Sequence, residues 1–454
     1  MKKYVPIFLL FLVGCKDQPA EDNSFGAEIE DLQSYFHIPG MAAIVTKGDQ
    51  VLFERYYGYA DFGKRVPVDS TTQFPMASLT KMFSGYLMLQ QPQTFEEPIN
   101  KYAAIDPPVG DSVKVKHVLS HTSQGEVGKH FYYSSRFSYL TKVIEETNND
   151  SFRNVIQRSI IDPFGLRHTF LLGDSSDLDG KRVALPYVIG LDRIEPGYFD
   201  YGFSSSSGIT STVRDIAKFG KLVSKIPAGQ YNYGYFKQVV AYDTILWAYG
   251  QYDCYSSLFI KVPSKDLTLV MAANNNLMSD PARLIFGDIR TSLFALSFFR
   301  NFMHKHLPYD ELKAKAVAAS FLGMYDSASM EKSKKFLREV FATGDDYVSL
   351  TTMHNIRIFS EIAFYQNKPR VDEFDTQLVS IGNKLLAEDI NNPYANIYMA
   401  NHYDSKKELD SARIFYRRVA EARNFSPGWY TMEAESWLRQ HASSAQGKAS
   451  PQPR

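Results

Sequence analysis

The chain has 454 residues, 44% of them hydrophobic and 22% charged, which is the composition of an ordinary globular protein long enough for two or three domains. Lysine and arginine total 50, and so do aspartate and glutamate. That balance excludes the basic footprint of a nucleic-acid binder, and nothing in it points to an anionic surface as the main partner.

Met1-Lys2-Lys3 is a short basic start, followed by an almost unbroken apolar run from Tyr4 to Val13. About ten apolar residues are too few to span a hydrocarbon layer of ~30 Å as a helix, but they suit a signal-peptide core. The ending Leu12-Val13-Gly14-Cys15 resembles a bacterial lipobox, which implies that residues 1–14 are a removed signal peptide. Cys15 would then be the lipid-carrying N-terminus of a protein held on a membrane of the bacterial cell envelope, facing the periplasm or the exterior. Residues 15–24 read as a polar tether. The other cysteine, Cys254, sits in an apolar run and reads as a buried small hydrophobe.

Ile29, Leu32 and Tyr35 recur at helical spacing and predict a short opening helix over 27–35. Two β-rich runs, Gly40 to Val45 and Val51 to Tyr57, flank Lys47-Gly48-Asp49-Gln50 and predict a hairpin. Phe74-Pro75-Met76-Ala77-Ser78-Leu79-Thr80-Lys81-Met82-Phe83 then carries two polar residues, Ser78 and Lys81, in an apolar segment that opens a buried helix. A separation of three puts both on one helix face. In the first turn, free N–H groups favour a developing oxyanion at Ser78. A desolvated Lys81 loses proton affinity and can accept the hydroxyl proton, so the pair has the makings of an activated nucleophile.

Further on, Val118-Leu119-Ser120-His121-Thr122-Ser123 and Tyr132-Tyr133-Ser134-Ser135 are polar clusters, the second leading into an amphipathic helix over 137–144. Another helix is predicted from Thr212. Strands are predicted at Tyr233 to Val240, Thr244 to Tyr249, Tyr255 to Val262 and Leu267 to Ala273. Asp280-Pro281 supplies an N-cap and a first-turn proline for a long apolar helix to about Met303. Hairpin, helical middle, antiparallel strands and closing helix define an α+β domain whose sheet is split between the two ends of the sequence.

Together these residues resemble the serine β-lactamase and penicillin-binding family, in its class C β-lactamase, DD-peptidase and esterase branch. The segment from Phe74 to Lys81 resembles the nucleophile motif with its flanks, and Val118 to Ser123 resembles the Leu-Leu-Ser-His-Thr-Ser signature. Gly208 to Asp215 resembles the family's Gly-hydrophobic-x-Ser-Thr-x-x-Asp helix entry, Pro263 to Val270 the hairpin just before its last strand, and Asn274 the Asn that ends that strand. The resemblance covers roughly residues 25 to 303, and residues 25–305 are taken as the hydrolase domain. It implies acyl transfer through a Ser78 acyl-enzyme, with Lys81 as base and half of an oxyanion hole from the Ser78 N–H. Tyr133 would bridge nucleophile and base, as in the family's Tyr-x-Asn motif. Ala248-Tyr249-Gly250 stands at the third motif, and the second oxyanion N–H would come from Gln251. Ser135, Tyr249, Gly250 and Gln251 are accordingly substrate-binding candidates.

Two positions depart from the family. Ser135 replaces Asn, and Ala248 replaces the basic or imidazole side chain of the third motif. Losing one such electrostatic partner commonly costs about 10²–10³ in rate. The alternative reading is therefore a catalytically degenerate binding or scaffold lipoprotein. His121 is taken as a packed or capping histidine, while Lys142 and Lys261 are expected to face solvent. No cofactor and no metal are implied. The expected partners are a small acyl substrate or cell-wall peptide, and a membrane through the lipid anchor.

From Leu307-Pro308 strand signals fade and helical periodicity repeats: 312–325, 330–343, 352–365, 371–388, 394–403 and 409–423. Ala400, Tyr403, Ala412 and Tyr416 resemble the small and aromatic pattern of a tetratricopeptide repeat. Pro393 and Pro427 stand one such period, about 34 residues, apart. Residues 306–440 are thus an expected all-α domain of helical hairpins able to dock a protein partner, and 441–454 an expected disordered tail.

Overall fold

The computed structural model describes residues 24–102, 109–189, 194–225, 231–279, 284–304, isolated helical positions between 311 and 339, 375–422 and 428–442. The signal-peptide, Cys15, tether and tail assignments lie outside these residues, apart from 24, 441 and 442. So do the expected helix at 352–365 and most of those at 312–325 and 330–343.

The opening helix α1 (Ser24–Tyr35) is followed by the hairpin strands β1 (Gly40–Lys47) and β2 (Gln50–Asp61), which turn at Gly48 in the left-handed region, φ +56°. The short strands β3 (Val66–Pro67) and β4 (Phe74–Pro75) come next. A single 3-10 turn, Ala77–Leu79, then runs directly into α2 (Thr80–Leu89). The helical middle contains α3 (Val115–Leu119), α4 (Leu140–Asn148) and α5 (Phe152–Ile156). After it come the small strands β5 (Phe170–Leu171), β6 (Tyr187–Ile189), β7 (Ile194–Pro196) and β8 (Ile209–Ser211) and the helix α6 (Val213–Gly220). Strands β9 (Tyr231–Asn232), β10 (Tyr235–Val240), β11 (Asp243–Tyr252), β12 (Tyr255–Val262) and β13 (Leu267–Ala273) complete the main sheet.

Its order is β3-β2-β1-β13-β12-β11-β10-β9, so the N-terminal hairpin is zipped onto the last strand, Met41 opposite Ala273 and Lys47 opposite Leu267. All its pairings are antiparallel. Because successive side chains point to opposite faces, β1 feeds two cores. Ala42 and Ile44 join the layer of the helical middle, with Met76, Phe83 and Phe219. Met41, Ala43 and Val45 join the layer covered by α1 and by α7 (Leu293–Phe298). The Phe83 and Phe219 rings stack at 4.1 Å, locking α2 against α6 in the first layer.

Two expectations are corrected. A long helix does not run from Asp280 to Met303 through the described residues: 284–291 form separate single turns and α7 begins only at Leu293, continuing as a wider turn to Met303. Gly287 at φ +82° interrupts the helix, and the buried Asp288 carboxylate accepts the Arg290 N–H and the Gln238 amide, capping a turn of its own. Ser292 caps α7, accepting the Ala295 N–H, while the expected cap and first-turn proline at Asp280-Pro281 lie outside the described residues. Lys261 does not face solvent either: it is 2% exposed, and its ammonium donates to Asp266 at 2.5 Å and to Thr268. The tight turn at Pro263–Asp266 folds the carboxylate back over a strand buried on both faces.

The C-terminal region packs α8 (Asp375–Glu388), α9 (Pro393–Ser405), α10 (Leu409–Ala420) and α11 (Gly428–Gln440) around their own apolar core. Asn392 caps α9 ahead of Pro393, accepting the Ala395 N–H at 3.0 Å. Ala400 and Ala412 are fully buried where α9 meets α10, Tyr403 stacks on Phe415, and Tyr416 stacks on Trp437 of α11. Among the described residues no helix is long and apolar enough to cross a membrane.

Candidate active site

The nucleophile segment is bent before it becomes helical. Ala77 has φ +46°, a conformation that costs an L-residue energy and is held here by packing on both sides. The Met76 N–H donates to the Ile209 carbonyl, while the Met76 carbonyl accepts the Ser257 hydroxyl at 2.8 Å. Gly250 of β11 passes so close that a Cβ there would lie 2.1 Å from the Met76 carbonyl oxygen. Ser78 is thereby held half-exposed in the 3-10 turn just ahead of α2.

One turn on, the Lys81 ammonium donates to the Ser78 hydroxyl at 2.9 Å. Lys81 is 2% exposed, and burial pulls its pKa down to about 7. Its other partners are the carbonyl of Ser206 at 3.2 Å and the hydroxyl of Ser206 at 2.6 Å. Its cationic head also lies 5.0 Å from the Tyr133 ring centre and 5.6 Å from that of Phe137. Tyr133 is hydrogen-bonded to Ser78, and burial drives its phenol well above the usual range, so it stays protonated. Ser78, Lys81 and Tyr133 therefore meet, although they come from a 3-10 turn, a helix and a loop.

Tyr133 is oriented by a stack of rings. His121 lies parallel to it at 4.7 Å, Tyr249 lies at 5.3 Å, and Phe236 continues the pile at 6.1 Å. The buried His121 accepts the Ser134 N–H on Nδ1 at 2.9 Å, and burial, followed by the nearby Lys81, holds its pKa well below normal. It is a neutral packing group. Ala248 is buried and supplies no charge, so the side that faces Tyr133 is aromatic instead of ionic.

Ser78 opens into a cleft of about 260 Å³ lined also by Ser135, Gln251 and Tyr252. Tyr249 and Gly250 stand behind it: Tyr249 buttresses Tyr133, and Gly250 admits the nucleophile segment. The sequence reading missed Ser206, whose hydroxyl holds the lysine while Ser135 lines the cleft. The only available signal was the run Ser204-Ser205-Ser206-Ser207-Gly208, which reads as a plain polar loop. It also missed Asp200, which lines the same cleft.

A two-layered antiparallel fold carrying a serine, a desolvated lysine and a tyrosine in mutual contact defines the serine β-lactamase and penicillin-binding class. The Beta-lactamase family model matches residues 27–285, more than half of the chain, and the chain belongs to that family of serine hydrolases. Among individual proteins, it is 24% identical over 175 residues to "Protein flp" of Staphylococcus aureus, a match covering 29% of this chain and 35% of that protein. The chain thus spans about a third of the length of the curated relatives it matches. Among solved structures it is similar to the octameric penicillin-binding protein homologue from Pyrococcus abyssi, with TM-score 0.51 and 20% identity, over 56% of this chain and 73% of that one. A class C beta-lactamase in complex with cefoxitin is also similar, with TM-score 0.48 and 17% identity, over 56% of this chain and 93% of that one.

Proposed function

We propose that this protein is an active serine hydrolase that cleaves an ester or amide through a Ser78 acyl-enzyme. The observation that carries the reading is the 2.9 Å contact between Ser78 and a lysine whose pKa has been pulled down to about 7, beneath a tyrosine bonded to the same hydroxyl. Neutral Lys81 takes the hydroxyl proton as the Ser78 oxygen bonds the acyl carbon. The tetrahedral oxyanion is held by the N–H groups of Ser78 and Gln251. Collapse breaks the bond to the leaving group, which takes its proton from Lys81 by way of the Tyr133 phenol. Water then repeats the sequence on the acyl-enzyme and frees the acid and Ser78.

The mature chain begins, on this reading, at a lipidated Cys15 and works at a membrane of the bacterial envelope, with the helical region as a tetratricopeptide-like module that docks a protein partner or packs against the catalytic domain. The degenerate-scaffold alternative rests on Ala248 and Ser135. The protonated phenol and intact nucleophile pair favour catalysis over it. A neutral fluorophosphonate probe is expected to label the wild-type protein at Ser78 and not Ser78→Ala. An unlabelled wild type that hydrolyses no ester would leave only the scaffold.

A further inference from the structure

The cleft in front of Ser78 has an unusual wall. Asp200 lines it beside Tyr252 and Tyr255, and no Lys, Arg or His is among its lining residues. The Tyr252 phenol is hydrogen-bonded to the Asp200 side chain, and the Tyr255 phenol to the Asp200 backbone. The two rings stack at 5.5 Å, and Tyr198 sets its edge against Tyr252 at 5.9 Å. Tyr198 in turn donates to Asp253 at 2.6 Å, placing a second carboxylate at the rim. Among the described residues no cation pairs with Asp200. Burial, and behind it the charge of Asp253, pushes the Asp200 carboxyl upward, as happens to an anion lacking a counter-charge.

A substrate carboxylate entering here shares the cleft with the Asp200 carboxylate, while Ala248 offers it no cation. A substrate ammonium meets a carboxylate that can accept a charge-assisted hydrogen bond. We propose that the cleft selects esters or amides carrying an ammonium group close to the scissile carbonyl, with Asp200 as its receptor, and disfavours substrates carrying a carboxylate there. This rests on the Ser78 reading above and adds the substrate's charge to it.

The test compares matched 4-nitrophenyl esters of β-alanine, butyrate and succinate, which place an ammonium, a methyl or a carboxylate at one position of the acyl chain. A second series places the same three groups on the leaving group of a thioester. In at least one series, wild-type kcat/KM for the ammonium substrate should exceed that for the neutral one about tenfold and exceed the carboxylate by more. In Asp200→Asn the ratio of ammonium to neutral substrate should fall towards one. Fluorophosphonate labelling of Ser78 run alongside separates the two readings. Labelling and turnover with no charge preference in either series would overturn this inference alone; no labelling and no turnover would overturn the hydrolase reading and this inference with it. The wild-type comparison decides the matter even where Asp200→Asn fails to fold.

Discussion

The backbone N–H of Gly428, the first residue of α11, donates to the carbonyl of Phe131 at 2.8 Å, two residues before Tyr133. The Tyr132 ring meets Trp429 edge to face at 5.8 Å in the same contact, and Phe131 packs against both His121 and Phe236 of the ring stack. The helical region therefore touches the segment that delivers the Tyr133 phenol to the candidate site.

A side chain at residue 428 should break that contact. A Cβ there would lie 2.3 Å from the Phe131 oxygen and 2.6 Å from the Tyr132 ring, and one neighbour is backbone, which cannot step aside cheaply. Gly428→Val should lower kcat by roughly tenfold with a smaller change in KM, because misplacing a reacting group costs rate more than binding. Steady-state kinetics on the full chain check this; unchanged kcat would mean that Tyr133 is positioned without α11.

Ionisation of Lys81 sets two pH effects of known sign. The base must be neutral, so kcat/KM should rise with pH through about 7. The folded pKa lies below the unfolded one of 10.5, so between these values the unfolded chain binds more protons and stability rises with pH. Below about 7 the cost of the buried charge is complete. Lys81→Met should therefore raise Tm most near pH 6, with the gain shrinking towards pH 10, while activity disappears. Thermal unfolding across that range is the check.

Ser206→Ala removes the 2.6 Å acceptor of the Lys81 ammonium and leaves the 3.2 Å carbonyl. A bond to the charged form is lost, so the ascending limb of the pH profile should move to lower pH and kcat should fall about tenfold or more. Ser206→Thr keeps the hydroxyl and should restore the limb. A profile unmoved in Ser206→Ala would show that the hydroxyl does not hold the lysine.

Tyr133→Phe separates the phenol from the ring stack. The stack on His121 and Tyr249 needs only the ring, so Tm should hardly change, whereas kcat should drop by about 10²–10³ as the hydroxyl contact with Ser78 disappears. Full activity in this variant would remove Tyr133 from proton transfer.

Much of this protein is local chemistry that a linear reading recovers. The spacing of Ser78 and Lys81 is about one turn, so their sharing a face is legible locally even though Ser78 sits in a 3-10 turn ahead of α2. The alternating or continuous apolar runs at 40–45, 51–57, 255–262 and 267–273 locate strands because side-chain period follows backbone pleat. What stayed hidden has long sequence separation. Ser206 reaches Lys81 across 125 positions, and Asp200 enters the cleft beside Tyr252 only once the chain has folded back on β11. Lys261 looks like any surface lysine until the Asp266 turn closes over it. Periodicity and motif spacing are properties of neighbouring residues and survive in the unfolded chain, so the sequence alone determined the strands and the nucleophile pair. The lysine's second hydroxyl, the acidic aromatic wall and the seat of α11 were decided by the tertiary structure, because sheet register and core packing alone bring such distant segments within hydrogen-bonding reach.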